Sequence, residues 1–161
     1  MILDNNAILS GSVTNAAGSS GTVVAGQTVT GAGTSVLSTN TYDLGVARDL
    51  GKGEMLEVAI EVTTTVVGGT SVQFQLIQAD DAALTTNVQV IVQTDAIPIA
   101  SLVAGAQIPL HVDRVDPYPA RRYLGIRYVQ VGTVTAGAYF AALAKSIADK
   151  QVSYANGFAV L

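Results

Sequence analysis

Four stretches of this chain alternate apolar and polar side chains with period two, and that rhythm restricts the fold more than any other feature. In "MLEVAIEVTT", Leu56, Val58, Ile60 and Val62 share one face while Glu57, Glu61 and Thr63 share the other. "SVQFQLIQ" sets Val72, Phe74 and Leu76 opposite Gln73 and Gln75, and "VQVIVQT" sets Val88, Val90 and Val92 against Gln89 and Gln93. "RRYLGIRYVQVG" sets Leu124, Ile126 and Tyr128 opposite Tyr123, Arg127 and Val129. A strand sends successive side chains to opposite faces, so each run reads as a strand with one buried and one wet face. Two shorter pieces, "AIPIASLV" and "AQIPLHV", contain Pro98 and Pro109. Proline has no N–H for the ladder, which assigns both pieces to sheet edges or strand starts. Turn signals lie between the runs at Gly68-Gly69, Asp80-Asp81, Gly105 and Pro117/Pro119. Many short strands separated in this way predict a β-sandwich or barrel.

Two segments are less clear. "TAGAYFAALAKSIADKQ" carries helical spacing at Phe140, Leu143 and Ile147, but Tyr139, Ala141 and Leu143 also alternate. The reading adopted is a strand from Val134 to about Ala144, then a helical turn or extended tail. From Asn5 to Tyr42 there is no charged residue. Short clusters there (Val23-Val24, Thr28-Val29-Thr30, Val36-Leu37) suggest strands or a long hairpin broken by glycine turns, and the alternative is a mobile Gly/Ser/Thr linker. Disorder driven by high charge does not apply.

The length of 161 residues suits one domain with its own core. With no cysteine, disulfides, thiol nucleophiles and thiolate metal sites are excluded. Charged residues make up 12% of the chain, about half the usual share, and the net charge is -4. That balance argues against nucleic acid as a partner. The start, "MILDNNAILSG", lacks a basic region followed by an apolar stretch, so no signal peptide is expected. Nor is there a run of about 20 apolar residues, so no membrane helix is expected.

The glycine- and charge-rich stretch "STNTYDLGVARDLGKGE" invites comparison with a phosphate-cradling loop. A P-loop needs Gly, four residues, then Gly-Lys-Ser/Thr opening a helix. Here Gly53 follows Gly51-Lys52, Gly45 is one residue too far away, and a strand pattern comes next. Two successive turns are expected instead, with Asp43 and Asp49 capping amides and Gly45, Gly51 and Gly53 at positive φ. His111 is the only histidine, and no G-x-S-x-G elbow accompanies it or Asp113 and Asp116. Asp80-Asp81 and Asp113/Asp116 lack the further oxygen ligands of a calcium loop and read as solvated turn carboxylates. Arg121 and Arg127 share a strand face and Arg122 the other, with ion pairs to Glu57 or Glu61, or to a partner protein, as the expected use. No carboxylate pair is singled out for glycoside hydrolysis. The reading is of a non-enzymatic protein with no cofactor and no metal.

A positive indication comes from an ordered set of motifs: "STNTYDLG", "RDLGKGE", "IEVTTT", "VQFQLIQAD", "AIPIASLVAG", "RRYLGIRYV" and "TAGAYFAAL". Together, over Ser38 to Leu143, the set resembles the capsid cement (decoration) proteins of short-tailed bacteriophages, of the Bordetella-phage type. The terminal "YANGFAV" is similar to the ending of that group. The resemblance implies an all-β jelly-roll β-sandwich of about eight antiparallel strands, with an extended N-terminal segment and a short C-terminal tail. The expected division of the chain is a Gly/Ser/Thr/Ala-rich N-terminal arm or hairpin over 1–37, uncharged from Asn5 onward, and a jelly-roll domain with its tail over 38–161. The implied partners are the major capsid protein and the chain itself, as a homo-oligomer with a dimer preferred over a trimer. The implied location is the outer surface of the virion's capsid, after synthesis in the host cytoplasm. Ile2, Leu3, Ile8 and Leu9 are the candidate interface anchors, their alternative being a strand that seals the domain's own core. The rival function is a carbohydrate- or receptor-binding β-sandwich of a tail fibre or adhesin.

Overall fold

A computed structural model describes residues 5–15, 22–47, 56–112 and 119–144. The strands, in chain order, are β1 (Ile8–Ser10), β2 (Ser12–Asn15), β3 (Thr22–Ala25), β4 (Gln27–Thr28), β5 (Gly31–Ala32), β6 (Ser35–Leu37) and β7 (Tyr42–Asp43). They continue as β8 (Leu56–Gly68), β9 (Ser71–Ala79), β10 (Gln89–Gln93), β11 (Ile97–Pro98), β12 (Gln107–Val112), β13 (Tyr123–Val131) and β14 (Thr133–Ala144). Single 3-10 turns occur at Asn5–Ala7 and Ile99–Ser101.

Two antiparallel sheets of six strands face each other. The first runs β1-β14-β8-β12, with β4 and β5 also pairing with β14. The second runs β10-β9-β13-β6, with β11 on β9 and β7 on β13. A separate hairpin joins β2 and β3. The architecture is sandwich-like, but it has more and shorter strand segments than the expected eight. The short strands lie along the edges of β13 and β14, where glycines break one long excursion into pieces.

The alternating runs became strands because each had an apolar face to bury. Val58, Ile60 and Val62 of β8 face Val72, Phe74 and Leu76 of β9 and Leu124, Ile126 and Tyr128 of β13 in one core, all fully or almost fully buried. β14 is a strand over its whole described length and contributes Tyr139 and Ala141 to the same core. Among the crossings between sheets, those from β8 to β9 and from β13 to β14 lie at one end. Those corners stack on each other so closely that a Cβ on Gly132 would lie 3.0 Å from Gly69 Cα. With both glycines at positive φ, only this residue fits the junction.

One sequence expectation needs correcting. Val90 and Val92 do not share a face, because a register irregularity in β10 puts Val90 opposite Ile77 and Val92 opposite Leu76. A bulge inserts one residue and so reverses the alternation beyond it. The described strands of 1–37 pair mostly with strands of 38–161. β1, β4 and β5 pair with β14, β6 pairs with β13, and Leu9 and Val29 are fully buried in the main core. Both proline pieces do lie at edges, Pro98 in β11 and Pro109 in the outermost strand β12.

Candidate interaction surface

The polar groups closest to the core serve the fold. The Tyr128 hydroxyl donates to Ser10 Oγ at 2.7 Å, and Ser10 donates to Gln27 Oε1 at 2.9 Å. Gln27 in turn donates to the Leu37 carbonyl at 2.8 Å and accepts from Thr39 N at 2.9 Å. This chain of bonds fastens the uncharged N-terminal segment to β13. Burial pushes the phenols of Tyr128 and Tyr139 above their ordinary range, so both are neutral donors.

Of the four candidate anchors, Ile2 and Leu3 lie outside the described residues. Leu9 is fully buried in the main core. Ile8 is packed with Phe140 and Ala142 on the other face of the first sheet, where Val13 also leans on it. Both side chains are thus enclosed by their own chain.

The stretch that opens at Ser38 is a connection built on turns as far as it is described. Ser38 Oγ accepts from Ile126 N at 3.0 Å and extends the ladder where β6 ends. Asp43 accepts from Gly45 N at 2.7 Å, with Gly45 at φ 76°. Asp49, Gly51 and Gly53 lie outside the described residues. His111 sits on β12 directly opposite Glu57 of β8, its Nδ1 3.2 Å from Glu57 Oε1. The position makes the pair a cross-strand contact at a sheet edge. Asp113 and Asp116 lie outside the described residues.

Arg121 and Arg122, just before β13, find other partners than the glutamates named from sequence. β8, which holds Glu57 and Glu61, belongs to the first sheet, whereas β13 belongs to the second. Arg121 Nη1 meets Asp80 Oδ1 at 2.6 Å. Arg122 is bidentate on Asp43, at 2.7 and 2.8 Å, and stands 5.0 Å from the centroid of the Tyr123 ring. The Arg122 hydrogen bond, followed by that from Gly45, holds the Asp43 carboxyl at about 2. Asp80 is lowered by its bonds to Asn87 and Arg121, and Asp81 by bonds from the backbone of Thr86 and the side chain of Thr85. Those two aspartates organise the turn between β9 and β10. They thereby seat Leu84, at φ 56°, on the outer face of the second sheet against Ile77 and Ala79.

Beside that turn the outer face carries a row of amides that the sequence pattern placed on a wet face, although Gln75 within it is buried. Gln75 Nε2 donates to Gln93 Oε1 at 2.8 Å and to Gln73 Oε1 at 3.2 Å, and Arg127 Nε donates to Gln75 Oε1 at 2.7 Å. The alternation of glutamines in "VQFQLIQ" was the available signal; the row itself needs the strand register. Among the described residues, no group of three or more His, Cys, Asp or Glu could hold a metal ion. Among them, too, no helix is long and apolar enough to cross a membrane.

The Bbp16 family model matches residues 23–143, from within β3 to the penultimate residue of β14, which takes in all of the second sheet and all of the first but β1 and the last residue of β14. The chain belongs to the Bbp16 family. No curated protein matches it. The Bbp16 stretch contains every motif of the ordered set from Ser38 to Leu143, and it begins within the uncharged segment. β4, β5 and β6 therefore fall inside the family's own span, in agreement with their pairing to β13 and β14.

Proposed function

We propose that this Bbp16-family protein is a non-enzymatic structural module of a virion, a jelly-roll-like cement protein. In this reading it binds the outside of the capsid and bridges neighbouring major capsid protein subunits as a homo-oligomer. The observation that carries it is the nesting of three spans. The motif set that resembles phage cement proteins, from Ser38 to Leu143, lies inside the Bbp16 match over 23–143, and that match covers all of the two-sheet sandwich except β1 and the last residue of β14.

The physical role would be adhesive. A specific contact with the shell would bury ~1,000–2,000 Å² per copy. An oligomer touching two subunits gains avidity from effective concentration. A face of amides and small apolar groups can be covered without stripping water from many ions, a step whose cost often exceeds the Coulomb gain. Binding only to the assembled lattice would stabilise that lattice by mass action.

The test mixes purified protein with expanded, emptied heads of the phage that encodes it, followed by sedimentation and image reconstruction. Saturable density at symmetric positions on the outer surface is the expected result. Failure to cosediment at micromolar protein, together with binding to a glycan array, would replace this reading with the carbohydrate-binding one.

A further inference from the structure

We propose that the outer face of the second sheet is the docking face, and that Arg127 at its centre receives a carboxylate from the protein surface it binds. This rests on the shell-binding reading above and names the contact within it.

The register places Gln93, Gln75, Arg127 and Leu37 side by side across β10, β9, β13 and β6. Gln75 is almost fully buried, and its amide orientation is fixed from three sides. Both of its N–H groups are used, on Gln93 and Gln73, so its oxygen must face Arg127 Nε. Gln73 is itself held by a bond from its Nε2 to the Thr94 carbonyl at 2.9 Å. A guanidinium has five N–H groups. The bond to Gln75 consumes the one on Nε and sets the plane of the fork. The two Nη groups have no hydrogen-bond or ion-pair partner among the described residues. Arg121 and Arg122, which lead into the same strand, each hold an aspartate.

Charge complementarity selects the occupant. On β9, β13 and β6 the outward residues nearest Arg127 are Gln73, Gln75, Ile77, Gly125, Val129 and Leu37, with no acid among them, and Val131 beyond them is 52% exposed. A surface without acids that holds one pre-oriented guanidinium fits a protein surface that presents a single Asp or Glu. Two parallel N–H···O bonds from the Nη pair would bind that carboxylate. Covering this face without such a group would leave a desolvated, unpaired cation, which is strongly disfavoured.

The experiment measures affinity for expanded heads at low and high salt, using full-length wild type, Arg127→Ala, Arg127→Lys, Val129→Glu and, from the opposite sheet, His111→Ala. Arg127→Ala is expected to weaken binding roughly tenfold or more, with a shallower salt dependence and a somewhat lower thermal midpoint, because it leaves the buried Gln75 Oε1 without its donor. Arg127→Lys should restore only part, because an ammonium cannot bridge both carboxylate oxygens. Val129→Glu should also lose binding by repelling the incoming acid, and His111→Ala should bind as wild type does. Wild-type binding with Arg127→Ala or Val129→Glu equally strong would overturn the docking face and leave the shell-binding reading standing. Absence of wild-type binding would overturn that reading and this inference together.

Discussion

Tyr128 and Tyr139 reach from opposite sheets and stack at 5.0 Å between ring centroids, with Phe74 edge-on to both. Their hydroxyls differ in what they meet. Tyr128 donates to Ser10, whereas Tyr139 Oη is buried with no partner among the described residues. An unpaired buried hydroxyl carries a desolvation penalty of about 1–3 kcal/mol, and a satisfied one contributes about 1 kcal/mol net. Tyr139→Phe should therefore hold or raise stability, and Tyr128→Phe should lower it by about 1 kcal/mol. Urea unfolding midpoints at constant m-value decide the matter; a fall in both by equal amounts would contradict the bonding assigned here. Asp43 supplies the pH-dependent case. Its folded-state pKa is depressed from 3.8 to about 2, chiefly by the Arg122 hydrogen bond and then by Gly45. A depressed carboxylate stabilises the fold fully above its unfolded pKa, and that contribution disappears as pH falls through the folded value. The stability gap between wild type and Asp43→Asn should be flat above about pH 5 and close between about pH 4 and 2. Thermal midpoints across that range check it, and added salt should narrow the gap at neutral pH because the pair is exposed.

At the scale of elements, the faces of β8, β9 and β13 were legible in sequence because alternation is forced wherever one side of a strand meets oil and the other water. Pro98 and Pro109 marked edges for an equally local reason, the missing donor. The bulge in β10 was not legible, since no residue there announces an extra insertion. Ile8 and Leu9 show another limit: an apolar side chain says that it will be covered but not by what. Arg121 and Arg122 likewise asked for acids, and only the assignment of strands to sheets gave Asp80 and Asp43 in place of Glu57 and Glu61. The Leu84 turn is the element whose energetics can be isolated. A Cβ added to Gly125 would fall 2.2 Å from Leu84 Cδ1 and 2.9 Å from Ser38 Oγ. Gly125→Ala should cost about 1–3 kcal/mol by overpacking. Leu84→Ala, which strips the cover from Ile77 and Ala79, should cost about 2–5 kcal/mol. In the double variant the larger clash is gone, so the two costs should fall short of additive by about 1 kcal/mol. Denaturant titrations of the four proteins give that coupling, and strict additivity would mean that Leu84 does not sit over Gly125.

At the scale of the whole molecule, the N-terminal strands, the stacked corners at Gly69 and Gly132 and the buried Ser10–Gln27–Tyr128 bonds draw both sheets and the uncharged segment into one body. A body already ordered in this way loses little conformational entropy when it docks, so most of the contact energy remains as affinity. Under the proposed cement role that affinity has one measurable consequence. A ligand that binds the assembled lattice and not its separated subunits stabilises the lattice by RT ln(1 + [L]/Kd) per site, about 2.7 kcal/mol at 100 Kd and 4.1 at 1,000 Kd. The temperature at which expanded heads break should therefore keep rising with the logarithm of free protein after every site is filled. Calorimetry of heads at graded protein concentrations reads this directly. A break temperature that stops rising at saturation would mean that the protein stays bound to the released subunits, and then it could not act as a lattice-specific cement.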